Sequence, residues 1–207
     1  MGGGRVPATG DIGNEIDDGT LARIGSPVPE VIGLDSKGGG SKQNQPGVAD
    51  RIVSWVRRRQ GERYGDGECF TLVDRALRSA GAHSASHYGD VHEDADYVWG
   101  TPVSLGHLRP GDVIQFRDYS YDRAIVTETP TETRRVEDGG DRPHHTAIVE
   151  RVGENGAVTV LEQNIPPDTG PVRRTQLFFI AGTTESGNQT TTITVRGTWW
   201  FYRPEGR

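Results

Sequence analysis

The sequence predicts an α+β domain, with two N-terminal helices packed against a small antiparallel sheet. Three observations carry this. Apolar residues recur at helical spacing in two segments before residue 82. After residue 108, β-branched and aromatic residues gather in short runs that suit strands. The turn Gly153-Glu154-Asn155-Gly156 joins two of those runs as a hairpin.

Residues 1–47 are rich in Gly, Pro, Asp and Ser and include Gly38-Gly39-Gly40-Ser41, which predicts a flexible tail. The acidic Asp11 to Asp18 stretch lacks the carboxylate spacing of a calcium loop. The folded domain is expected over 48–207. Its first helix runs from Val48 to Gln60, with Ile52, Val53 and Val56 on one side. Arg57, Arg58 and Arg59 suit the negative end of that helix. A second helix is expected from Gly67 to Ala80, stopping at Gly81. Asp66 can cap it, and Cys69, Val73, Ala76, Leu77 and Ala80 share one stripe.

Residues 82–108 form a polar connection. Its histidines, His83, His87, His92 and His107, lack zinc-like spacing, so no metal is expected. Leu108-Arg109-Pro110-Gly111-Asp112 turns into the strand Val113 to Phe116. Residues 117–142 are charged and threonine-rich, which suits either a long loop or an exposed hairpin. His145 to Val152 and Ala157 to Glu162 are the strands of the hairpin. Leu177 to Ile180 and Thr190 to Tyr202 read as closing strands, with Trp199 to Tyr202 serving core and edge packing.

Composition excludes several classes. Among 207 residues the formal net charge is -6, so nucleic acid is not an expected partner. No apolar run reaches the roughly 20 residues of a membrane span, and the N-terminus lacks a secretory h-region. A cytoplasmic location, or export by a route other than Sec, is the expectation. The single cysteine excludes an intrachain disulfide. Oligomeric state is left open.

Cys69 lies where a glycine-rich turn enters a helix, and a helix start favours thiolate over thiol. A thiol nucleophile needs a base, and that base needs an orienting group. The hairpin brings both near. A turn centred at 154–155 places 145 opposite 164 and 147 opposite 162, so Glu162 or Asn164 can reach the His145 imidazole. Gln163 should point away from it. His144 and His145 alternate in direction along a strand, so only one can face Cys69.

The run Gly67-Glu68-Cys69, then Leu108-Arg109-Pro110-Gly111-Asp112, then His145-Thr146-Ala147-Ile148-Val149, then Leu161-Glu162-Gln163-Asn164 resembles the CHAP family of amidohydrolases and peptidases. That family is similar to the NlpC/P60 group of papain-like peptidoglycan hydrolases. The resemblance covers roughly 48–165. It implies a papain-like fold, with Cys69 as nucleophile, His145 as base, Glu162 orienting the histidine and Asn164 supporting it. It also implies a cysteine hydrolase that cuts amide bonds of peptidoglycan, as an N-acetylmuramoyl-L-alanine amidase or peptide endopeptidase, with no cofactor. The alternatives are a thiol amidase or transferase acting on another amide-containing substrate, and a binding or effector module without turnover. Glu68 departs from the Gln that many CHAP sequences carry before the cysteine, and His144 from the Gly that many carry before the histidine.

Overall fold

The computed structural model describes residues 45–166 and 170–207. The tail expected over 1–47 therefore lies almost wholly outside the described residues.

Helix α1 spans Val48–Arg57 and buries Ile52, Val53 and Val56, the apolar side expected of it. The Asp50 carboxylate accepts the Gly47 backbone N–H at 3.3 Å and satisfies one donor at the helix start. Helix α2 spans Cys69–Ser79 and buries Leu72, Val73, Ala76 and Leu77. It starts two residues later than expected. Asp66 still serves its entry: Oδ1 accepts the Glu68 N–H at 2.9 Å, and Oδ2 accepts the Thr71 hydroxyl at 2.9 Å. Gly81 takes φ +73°, a left-handed geometry that lets the chain leave the helix.

Seven antiparallel strands follow: β1 (Thr101–Val103), β2 (Val113–Glu128), β3 (Thr133–Val152), β4 (Ala157–Glu162), β5 (Arg173–Phe178), β6 (Gly182–Ser186) and β7 (Gln189–Arg203). The sheet order is β1-β7-β2-β3-β4-β5, with β6 on the outer part of β7. This corrects the expected papain-like CHAP fold of helices on a small sheet. The protein is mostly β, with two short α-helices among the described residues. Two features make the sheet large. Residues 117–128 and 133–142 are the outer parts of β2 and β3, paired from Tyr119↔Arg142 to Glu128↔Thr133, with the turn at 129–132. Strand β7 lies between β1 and β2, so its aromatic run sits inside the sheet rather than at an edge.

Both sheet faces are apolar near the helices. On one, the cross-strand neighbours Tyr202, Val113, Ile148 and Leu161 pack with Ile52, Val56, Leu72, Val73 and Leu77. On the other, Ile114, Phe116, Ala147, Val149, Val160, Leu177 and Phe201 form a second cluster. Each large buried apolar side chain contributes about 1.5–3 kcal/mol, so the first row alone anchors both helices. The outer hairpin differs: β3 is exposed from Thr133 to Gly139. No described helix is long and apolar enough to cross a membrane.

Candidate functional site

The hairpin of β3 and β4 has the register expected of it near the site, with Ile148↔Leu161 and Val149↔Val160. Asn155 and Gly156, at φ +53° and +71°, form its turn. His145 stands opposite Phe116 on β2 and is 2% exposed, and Glu162 ends β4 at 0% exposed. The His145 Nε2 lies 2.9 Å from Glu162 Oε2. This leaves Nδ1 for Cys69, whose thiol lies close enough to His145 for the ring to lower its pKa. Cys69 opens α2 and is partly exposed.

The charges of these groups follow from their surroundings. Burial alone would push the Cys69 thiol up, but the His145 charge and hydrogen bond hold it below its usual value. The Thr146 and Phe70 backbones assist. Burial opposes charge on His145 as well, yet Cys69 and Glu162 raise it to about 9. Burial disfavours the Glu162 carboxylate, while hydrogen bonds from Arg142 and His145 bring it down to about 2. These shifts favour the thiolate of Cys69 and the imidazolium of His145, with the Glu162 carboxylate held against the ring.

A residue absent from the expected set completes this group. Arg142, 2% exposed, donates to Glu162 through Nε at 2.8 Å and Nη2 at 2.5 Å. Nothing in the sequence marks it: it sits in the charged 117–142 run, and only the register of β3 turns it inward. Gln163 is a second omission. It points away from His145, but it is fully buried and clamps the turn before Cys69. Its Oε1 accepts the Tyr64 N–H at 3.1 Å, and its Nε2 donates to the carbonyls of Tyr64 at 3.0 Å and Glu68 at 2.7 Å.

Asn164 does not support the imidazole. At φ +62° its amide turns to the Glu68 carboxylate, 2.8 Å away. His144 lines the same cleft as Cys69, but its Nε2 lies 2.9 Å from the Ala95 carbonyl oxygen. Cys69, His145, Thr146 and Asn164 line a cleft of about 460 Å³. Asp66, Glu68 and Glu93 add carboxylates to its lining, and Phe70 and Tyr97 add an aromatic wall with rings 4.8 Å apart. Burial pushes the Tyr97 phenol up, and the Cys69 charge adds to this. Among the described residues, no group of three or more His, Cys, Asp or Glu side chains is placed to hold a metal ion.

A family profile described as "AIM3/BBC1 Cysteine proteinase-fold domain" matches residues 42–179, well over half of the 207 residues. A curated relative, "Altered inheritance of mitochondria protein 3" of Debaryomyces hansenii, is 26% identical over 134 residues. The match covers 59% of this chain but 13% of the relative, so the chain spans a small part of that protein's length. No solved structure matches significantly. These matches correct the CHAP expectation. The amide-hydrolase activity and peptidoglycan as a partner are both implied by the CHAP resemblance, and both fall with it. The family description names a fold and no reaction, and the relative's name mentions neither hydrolysis nor a cell wall. A thiol amidase or transferase on another substrate loses its support in the same way. With a profile that spans both helices and the hairpin of β3 and β4, the chain belongs to the AIM3/BBC1 cysteine proteinase-fold domain family.

Proposed function

We propose that the domain over 48–207 is a ligand-binding module whose cleft presents an ionised thiol, with Cys69, His145 and Glu162 as the reactive set and Asn164 as a cleft residue. The observation that carries this is the Cys69–His145–Glu162 arrangement at an open cleft of about 460 Å³. Binding is favoured by the lining of the cleft. The Asn164 amide is bonded to Glu68, and the Gln115 side chain is held between the Trp99 indole N–H and the Phe116 carbonyl. Each thus commits one of its two amide N–H donors within the protein, leaving one to offer a developing oxyanion. The lining also offers acceptors, from Asp66, Glu68 and Glu93, beside the Phe70 and Tyr97 rings. That chemistry suits a cationic side chain on an apolar stem, such as a lysine-bearing segment.

Iodoacetamide tests it. The folded protein should be alkylated at Cys69 faster than a small-molecule thiol at pH 7, and trilysine should slow the reaction where triglutamate does not. Alkylation that needs denaturation would place the thiol out of reach and end this reading. Equal effects of the two peptides would remove the cationic ligand.

A further inference from the structure

Arg142 and Glu162 form a buried two-point ion pair, with N–O distances of 2.8 and 2.5 Å and side chains 2% and 0% exposed. Such a pair is the bidentate geometry that fixes a carboxylate's plane as well as its charge. The same Glu162 oxygen that accepts Arg142 Nε also lies 2.9 Å from His145 Nε2. Arg142 itself is fixed on its other side, where Nη1 donates to the Asp141 carbonyl at 2.7 Å. The buried guanidinium, the carboxylate and the imidazole are thus joined in one row, and the imidazole in turn lowers the pKa of the thiol.

We propose that Arg142 is a positioning residue for the Cys69–His145 pair, acting through Glu162, and that it sets the charge state in which the thiol is presented. This rests on the thiolate reading above. The argument is one of charge balance. Cys69 and Glu162 supply two negative groups, and His145 and Arg142 supply two positive ones. Together the four are neutral, so burial is tolerable. Removing the guanidinium leaves one uncompensated buried negative charge, which proteins relieve by taking up a proton. Of the two anions the thiolate is the more basic, so it takes that proton.

The other titratable groups here do not replace Arg142. Tyr119 and Tyr121 on β2 approach Arg142 and Glu162, but burial holds both phenols protonated at neutral pH. Tyr97 approaches Cys69 and is likewise neutral. Arg173 is the register partner of Glu162 across β4 and β5 and is exposed, unlike the buried Arg142. His144 faces the Ala95 carbonyl.

The test is the pH profile of Cys69 alkylation by iodoacetamide, a readout that a merely structural role would leave unmoved. Wild-type protein should react at a rate that stays high well below pH 8. In Arg142→Met the midpoint should rise by about one pH unit or more, a roughly tenfold loss of thiolate on the acid side. Arg142→Lys keeps a buried cation but not the two-point geometry, and its midpoint should fall between the two. Circular dichroism and thermal melting establish that each variant is folded. A folded Arg142→Lys or Arg142→Met variant with the wild-type profile overturns the proposal. Should Arg142→Met not fold, the Lys variant decides alone. A wild-type midpoint at the ordinary cysteine value is a different failure: it removes the thiolate reading itself.

Discussion

Gln163 and Tyr64 exchange two hydrogen bonds, side chain to backbone, at 3.1 and 3.0 Å. They sit on separate elements, one just past β4 and one in the turn before α2. A third bond, from Gln163 to the Glu68 carbonyl, ends one residue short of Cys69. The thiol is therefore located by a buried amide that touches neither it nor His145. Gln163→Ala should destabilise the domain by about 2–3 kcal/mol, because backbone groups are left unpaired and a void opens. Urea unfolding measures this. Cys69 alkylation in the folded variant should also slow. An unchanged midpoint would show that water replaces the amide without loss.

The two adjacent histidines should separate cleanly. In His145→Ala the thiol loses the partner that opposes its burial, and alkylation at pH 7 should fall roughly tenfold or more. His144→Ala removes a contact with the Ala95 carbonyl, the approach of Nε2 to Asp96 Oδ1 at 4.0 Å, and ring packing against Tyr97 at a centroid distance of 5.8 Å. Its alkylation rate should stay within about twofold, since His145, the imidazole that lowers the thiol's pKa, is untouched. Equal losses in mass-spectrometric rate measurements would contradict the assignment of His145.

Stability should fall in acid through Glu162. Its carboxyl is held at about 2 in the folded state, below its ordinary 4.5. Such a group stabilises above its unfolded value and loses that contribution as pH drops through its folded value. The loss should therefore develop between about pH 4.5 and 2. His145 works in the opposite direction. Raised from 6.5 to about 9, it stabilises fully below pH 6.5 and loses this as pH climbs through about 9. Melting temperatures across pH should show both flanks. Glu162→Gln should flatten the acid one.

Asn164 offers a control on the cleft rim. Its φ of +62° suits Asn and Gly far better than Ala. Asn164→Gly should keep the backbone while freeing the Glu68 carboxylate. Asn164→Ala should lose a further ~1 kcal/mol from the left-handed strain. Melting temperatures of the two variants compare them. Equal stabilities would mean that the chain relaxes out of this conformation.

Local pattern was legible in the sequence where one physical rule dominated. The apolar stripes of α1 and α2 follow helical spacing, and the Glu154–Asn155 turn starts the β3–β4 pairing, which reaches the expected register at Val149↔Val160 after a shift between Val149 and Arg151. His145 and Glu162 were reachable because that register is short-range. Arg142 was not: it lies three residues before His145 on β3, where strict alternation would turn the two to opposite faces, yet both bond Glu162. The sheet's extent was hidden as well. Charged and threonine-rich residues over 117–142 look the same in an exposed strand as in a loop, and the pairing of β7 with β2 spans some seventy residues of sequence.

The uninterrupted pairing of the outer hairpin, from Ser120↔Asp141 to Glu128↔Thr133, makes its length adjustable. Excising Thr127 and Glu128 together with Thr133 and Arg134 removes matched partners and leaves every remaining side chain on the face it already occupies. The buried groups around Cys69 lie at the far end of those strands and keep their neighbours. Nature could lengthen or trim this arm in steps of two residues per strand, so the reach of the domain and the chemistry of its cleft are free to evolve separately.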